Sequence, residues 1–195
     1  IGAAPAEERE VTWITPFDDP LVIAGQGTTG LEIAQQAADA GIARADVIAG
    51  CGGGGLTSGI ALALEAEAPG LRARTAEPEG FDDAARSLAA GEITRNAALG
   101  GSICDAIVTP QPGDLTFPIL KRLCGPGLVV SDNEALRAIG HAFNRLKLVA
   151  EPGGAVALAA ALFRQDEIDG DDVIVTISGG NVDSDIFSRA LATLD

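Results

Sequence analysis

At 195 residues, with 47% hydrophobic but only 4% aromatic residues, 25 glycines and no tyrosine, the chain has material for one medium domain built on Ala, Val, Ile and Leu, the usual stock of alternating strands and helices. Thirteen basic against 28 acidic residues leave a net charge of −15, a field that repels phosphate backbones and anionic lipids and argues against nucleic-acid and membrane-surface binding. No apolar run approaches the roughly 18 residues of a membrane span, and the start IGAAPAEERE resembles no secretory signal.

Residues 1–10 are polar, carry Pro5 and read as a linker or the tail of a preceding unit, with the domain running over 11–195. Val11 to Ile14 reads as a short strand, Pro16 to Pro20 (PFDDP) as a turn, and GQGTTGLEIAQQAADAG as a helix stopped by Gly41. Asp46 to Cys51 is a buried strand running into four glycines. A helix follows over Leu56 to Ala68, a strand over Leu71 to Ala76, and a helix over Phe81 to Ala90 closed by Gly91. Pro110, Pro112 and Gly113 break any periodicity between Ile93 and Pro118, which reads as a functional loop. Thr116 to Cys124 is a helix and Gly127 to Val130 a strand; SDNEALRAIGHAFNRLKL is a helix capped at Ser131 or Asp132, with Glu134 in its first turn. GGAVALAAALFRQ is an apolar, buried helix, Val173 to Ile177 a strand, and a last helix ends near Leu194. The alternation predicts an α/β fold: an open, mostly parallel twisted sheet flanked by helices.

CGGGGLTSG, a strand end, a glycine run and a helix start, aims unpaired backbone N–H groups from the positive end of a helix dipole and forms an anion site. Glycine keeps Cβ atoms out of an anion's way and permits positive φ; a tight turn without a ligand is the bland alternative. Gly50, Gly52 and Gly55 also satisfy G-x-G-x-x-G, with Glu77 22 residues after Gly55, so an NAD-dependent oxidoreductase is one alternative reading. A non-catalytic module binding phosphate or a small acid is another. No lysine follows the glycines, which excludes a nucleotide-triphosphate loop.

PFDDPLVIAGQGT, CGGGGLTSG, AEP at 76–78, AEPGGA at 150–155 and ISGGN at 177–181 follow one another in an order and spacing that resembles the pyridoxal-phosphate serine/threonine dehydratases (ammonia-lyases) and serine racemases of the tryptophan-synthase β-like fold. The resemblance covers roughly residues 16–183. It implies that Gly52, Gly53, Gly54, Gly55 and Leu56 hold the phosphate of pyridoxal 5'-phosphate and that Ser178 meets the pyridine nitrogen. Glu151 would be the acidic residue behind the cofactor. Read alone, Ser178 is a turn serine and Glu151 a carboxylate at a helix N-terminus. Asp105 falls where many members have Asp-Gly, with Ala106 in place of the glycine. The resemblance also implies a Mg or Ca site made by Glu77, the Phe81 carbonyl and Asp83, although Asp82 and Asp83 alone read as an acidic helix start.

The implied activity is elimination of water from a small 3-hydroxy amino acid to give a 2-keto acid and ammonia, by a homodimer of catabolic type. The Schiff-base lysine of such enzymes has no counterpart here: Lys121 and Lys147 are the only lysines, and neither lies in a Ser-x-Lys setting. No catalytic residue is therefore assigned. With no methionine and a start at Ile1, the chain is expected to be the C-terminal large-domain part of a longer enzyme and inactive alone. Cys51, Cys104 and Cys124 are odd in number and without metal-ligand spacing, which suits a reducing, cytoplasmic setting. Cys51 reads as a small buried hydrophobe and His141 as a surface residue.

Overall fold

The structure, a computed structural model, describes residues 14–194. Its middle layer is a parallel four-stranded sheet in the order β3-β2-β1-β4. Central β1 (Ala45–Gly50) pairs with β2 (Leu71–Pro78) from Ala45 opposite Leu71 to Gly50 opposite Ala76. β3 (Leu128–Val130) extends the sheet beyond β2, and β4 (Val173–Val175) lies along the other side of β1. All of β1 is buried, as a parallel strand covered on both faces must be.

On one face, Val47, Ala49 and Ala73 meet Ile33 of α1 (Pro20–Asp39) and Ile60 and Leu64 of α2 (Gly55–Glu67). On the other, Ile48, Ala76 and Val130 meet Leu136 and Ile139 of α5 (Asp132–His141) and Val156 of α6 (Pro152–Phe163). The remaining helices are α3 (Asp83–Ala90), α4 (Thr116–Leu123) and α7 (Ser184–Leu191). With so few aromatics the layers close up through small residues. A Cβ on Gly59 of α2 would stand 2.5 Å from the Ile23 carbonyl of α1, so the two helices touch backbone to backbone. Among the described residues no helix is long and apolar enough to cross a membrane.

Several element boundaries differ from the sequence reading, each for a local reason. Of the strand expected over Val11 to Ile14, residues 11–13 lie outside the described residues and Ile14 belongs to no strand. The first helix begins at Pro20, inside the expected turn, because Asp19 Oδ1 accepts the amides of Leu21 (2.7 Å) and Val22 (3.2 Å) with Pro20 at the first helical position. α3 starts only at Asp83, not at Phe81. α5 opens with a capping box between Ser131 and Glu134, but leaves the α-helical form at His141, passes through a π-helical turn over Ala142–Leu146 and stops at Lys147 with φ 60°. His141 is half-buried, not fully at the surface. β4 ends at Val175; Thr176 N still donates to Ile48 O (3.1 Å), but the Ser178 amide turns away to Gly154 O (3.4 Å).

Candidate functional site

The connections after β1 and β4 leave the sheet on opposite faces: β1 runs into α2 on one side, and β4 leads to α7 on the other, where Ile186, Phe187 and Ala190 join the α5–α6 core. Such a switch point opens a crevice at the carboxyl ends of the two strands, where ligands of open α/β sheets bind. The glycine turn and the S-G-G-N turn are its two lips.

Cys51 N still donates to Ala76 O (3.0 Å), and from Gly52 the chain departs. Among the described residues, the amides of Gly52, Gly53 and Gly54 have no protein acceptor. Gly54 is the N-cap of α2 and supplies no side chain to cap it, so the amides of Gly55 and Leu56 are also left to an outside ligand. Five successive N–H groups thus stand without a protein acceptor at the positive end of a 13-residue helix, a geometry suited to an anion.

The reason for the glycines, however, lies largely behind the turn. A Cβ on Gly53 would stand 2.3 Å from the Phe17 ring, one on Gly52 3.0 Å from Ile107 O, and Gly54 has φ +94°. The chain packs against the back of the loop and leaves no room for side chains there. Phe17 was not singled out by sequence reasoning, since the PFDDP segment carries no sign of where its aromatic ring lands.

Across the crevice, Ser178 Oγ lies 3.9 Å from where a Gly50 Cβ would be. Ser178 therefore stands beside the end of β1 and is exposed to the crevice. Two close approaches hold it there: a Cβ on Gly50 would meet Gly153 O at 3.0 Å, and one on Gly154 would meet Gly179 O at 2.6 Å. Glu151, the half-buried N-cap of α6, donates its amide to Gly179 O (3.0 Å), and its Oε1 fills the space in which a Gly179 Cβ would sit. A cavity of about 500 Å³ opens here, lined by Glu151, Asn181, Asp105 and Ala106. Ala106 sits in a short 3-10 turn (Asp105–Ile107) and, as the sole positive φ outside glycine among the described residues is that of Lys147, no glycine is needed there. The rim of this turn is held by Asp132, which accepts the Ser102 hydroxyl (2.6 Å) and the Ile103 amide (3.2 Å).

Glu77 is fully buried at the end of β2, where its two oxygens accept the amides of Ala84 (2.8 Å) and Ala85 (2.7 Å). It caps α3 from outside the helix, which explains why that helix starts late. Being enclosed, it is not available to a ribose hydroxyl, and the oxidoreductase reading loses its acidic residue. Burial pushes the Glu77 carboxyl well above the usual carboxylate range despite the two amides. Asp83 is also buried; burial pushes it to about 6, although the Asn96 amide donates to its Oδ1. Its Oδ2 has no hydrogen-bond partner among the described residues. Among the described residues there is no cluster of three or more His, Cys, Asp or Glu side chains suited to a metal, so an ion here would rest on the two carboxylates and the Phe81 carbonyl.

Cys51 is buried, and burial pushes its thiol well up, away from nucleophilic character. The lysines are engaged elsewhere: Lys121 Nζ donates to Gly91 O (2.8 Å) and Lys147 Nζ to Asn144 O (2.9 Å).

Among known proteins, the chain is 38% identical to serine racemase of Dictyostelium discoideum over 188 residues, 95% of this chain and 56% of that protein. It is 40% identical to L-threonine ammonia-lyase of Geobacter sulfurreducens over 178 residues, 91% and 43% of the two. The crystal structure of a T.th. threonine deaminase superposes with a TM-score of 0.87 at 44% identity, over 92% of this chain and 65% of that one. The chain thus spans about half the length of these curated relatives. Residues 2–180 match the family described as pyridoxal-phosphate dependent enzyme; with uncapped amides and a hydroxyl facing one crevice at the switch point, the chain belongs to that family.

Proposed function

We propose that this chain forms the cofactor-holding part of a pyridoxal-phosphate lyase that eliminates water from a small 3-hydroxy amino acid, giving a 2-keto acid and ammonia. In this reading the amides of Gly52 to Leu56 hold the cofactor phosphate, and Ser178 offers its hydroxyl to the pyridine nitrogen, with Glu151 behind the S-G-G-N turn. Bound there, the cofactor supplies an electron sink that acidifies the Cα proton of an amino acid. A serine hydroxyl donates a hydrogen bond but is too weak an acid to protonate the ring, so the sink stays modest, which suits loss of a β-hydroxyl. The observation that carries the reading is the placement of five unclaimed amides and Ser178 on opposite lips of one crevice. Relatives named for threonine ammonia-lyase and serine racemase activity support the substrate class.

Lys121 and Lys147 place their ammonium groups on the Gly91 and Asn144 carbonyls, away from the glycine turn and Ser178, so the chain by itself is expected to bind the cofactor without turning over amino acids. Titration with pyridoxal 5'-phosphate, followed by absorbance and phosphorus NMR, checks the binding. Keto-acid release from serine or threonine by the isolated chain would contradict the account of the lysine, and NADH binding in its place would restore the oxidoreductase.

The unpartnered Asp83 Oδ2 favours a divalent cation between Glu77, the Phe81 carbonyl and Asp83, since a hard ion wants oxygen ligands and offsets two buried negative charges. A rise in melting temperature with Mg or Ca, abolished in Asp83→Asn, is the expected result. A homodimer is part of the same reading, checked by sedimentation.

A further inference from the structure

We propose that Thr116 is the positioning residue that turns the glycine loop's amides toward the anion; this rests on the cofactor site proposed above. Thr116 lies 63 residues from the loop in sequence and is completely buried. Its hydroxyl donates to Gly53 O at 2.6 Å, and the Gly113 amide donates to the same oxygen at 3.1 Å. The Gly113 amide is also within 3.0 Å of the Thr116 hydroxyl, which it can use as acceptor. In a trans peptide the carbonyl and the following N–H point in opposite directions, and no peptide bond among the described residues is cis. Pinning Gly53 O toward α4 therefore aims the Gly54 N–H the other way, out of the loop and away from Thr116.

Gly54 most needs such a pin. Its φ of +94° is one of many conformations open to a glycine, and a run of four has little intrinsic preference for the one that aligns its amides. Thr116 is in turn held by the segment that fills the back of the loop. Asp18 accepts the amides of Asp114 (3.0 Å), Leu115 (2.8 Å) and Thr116 (3.3 Å), while neighbouring Phe17 occupies the space under Gly53. The hydroxyl is thus fixed at both ends: its own backbone by Asp18, its target by the loop.

The test uses inorganic phosphate and pyridoxal 5'-phosphate as separate probes, with amide NMR shifts of Gly52 to Leu56 as the readout and melting temperature alongside. Thr116→Val keeps the shape and removes the hydroxyl; Thr116→Ser keeps the hydroxyl. Ser58→Ala is the stability control, because Ser58 Oγ donates to Thr116 O (3.3 Å) without touching Gly53 O. We expect Thr116→Val to weaken both probes roughly tenfold, the scale of one buried hydrogen bond, and to move the Gly54 amide resonance before any ligand is added. Thr116→Ser and Ser58→Ala should stay within about twofold of the parent. Unchanged binding in Thr116→Val, or an equal loss in Ser58→Ala, overturns the positioning role alone. If phosphate leaves the parent's Gly52 to Leu56 amides unmoved, the cofactor site itself falls and the proposal with it.

Discussion

The two ends of the sheet are built on opposite electrostatic plans. At the amino ends of the strands, Asp46 of β1 is buried between Arg72 Nε and Arg74 Nη1, both at 2.9 Å, and accepts the Asp169 amide at 3.4 Å. Arg74, also buried, gives its Nε to Pro126 O at 2.8 Å. At the carboxyl ends, the glycine-turn amides and the Ser178 hydroxyl are left open. Cavity size does not separate them, since the space at the amino end is about 550 Å³ and the one beside Glu151 and Asn181 about 500 Å³. What differs is the account of polar groups: one end has paired its buried charges, and the other keeps donors in reserve. A closed network stabilises and specifies; unclaimed donors in a concave place are what a ligand can use.

The largest effect that would expose this contrast comes from Asp46→Ala. It strands the buried Arg74 charge and should cost about 3–5 kcal/mol of folding stability, read by urea unfolding, while phosphate affinity of the folded protein stays unchanged. Gly53→Ala should reverse the pattern. Its Cβ meets the Phe17 ring, and overpacking of this kind costs about 1–3 kcal/mol. Phosphate binding should be lost, because the loop moves to relieve the clash. A Gly53→Ala protein that binds phosphate normally would mean that the amides do not form the site.

The two ends also differ in the sign of their pH response. Burial would raise the Asp46 carboxyl, but hydrogen bonds from Arg72 and Arg74 outweigh it and hold Asp46 below the usual range. Its contribution is present above the unfolded value of 3.8 and is lost as pH falls through the lower folded value. For Asp83, raised by burial from 3.8 to about 6, the folded state holds the proton more tightly. Its support is complete below pH 3.8 and is lost as pH rises to about 6. Asp83→Asn should therefore gain about 1–2 kcal/mol over the parent above pH 6 in chelator, and should lose any stabilisation by Mg or Ca. Melting curves between pH 4 and pH 7, with and without the ion, separate these outcomes.

How much of this could be read beforehand depended on the reach of each contact. The turn after β1 was legible because a short apolar run collides with four glycines, and both signals lie within ten residues. A helix cap at Ser131 or Asp132 was legible for the same reason, and the structure assigns it to Ser131 with a capping box to Glu134. Glu77 shows the limit: two nearby acids suggest a ligand pair, while the helix amides that donate to both its oxygens become visible only once β2 and α3 are laid side by side. Phe17, Asp18 and Thr116 left no local trace. Phe17 packs under Gly53, and the bonds of Asp18 and Thr116 to other loops cross 63 to 98 residues; both depend on which loops the sheet order brings together, something periodicity does not encode.

The smallest change in stability should come with the most selective change in function. Ser178 is exposed, and the contact it makes to the fold is through its amide to Gly154 O. Ser178→Ala keeps that amide, so its unfolding free energy should stay within about 0.5 kcal/mol of the parent. Inorganic phosphate, which needs only the glycine lip, should bind unchanged. Pyridoxal 5'-phosphate, which spans both lips, should bind several-fold more weakly and with a shifted absorption band, because its ring nitrogen has lost a donor. Equal weakening of both probes would mean that Ser178 acts by supporting the glycine turn, and the division of the crevice into a phosphate lip and a ring lip would have to be abandoned.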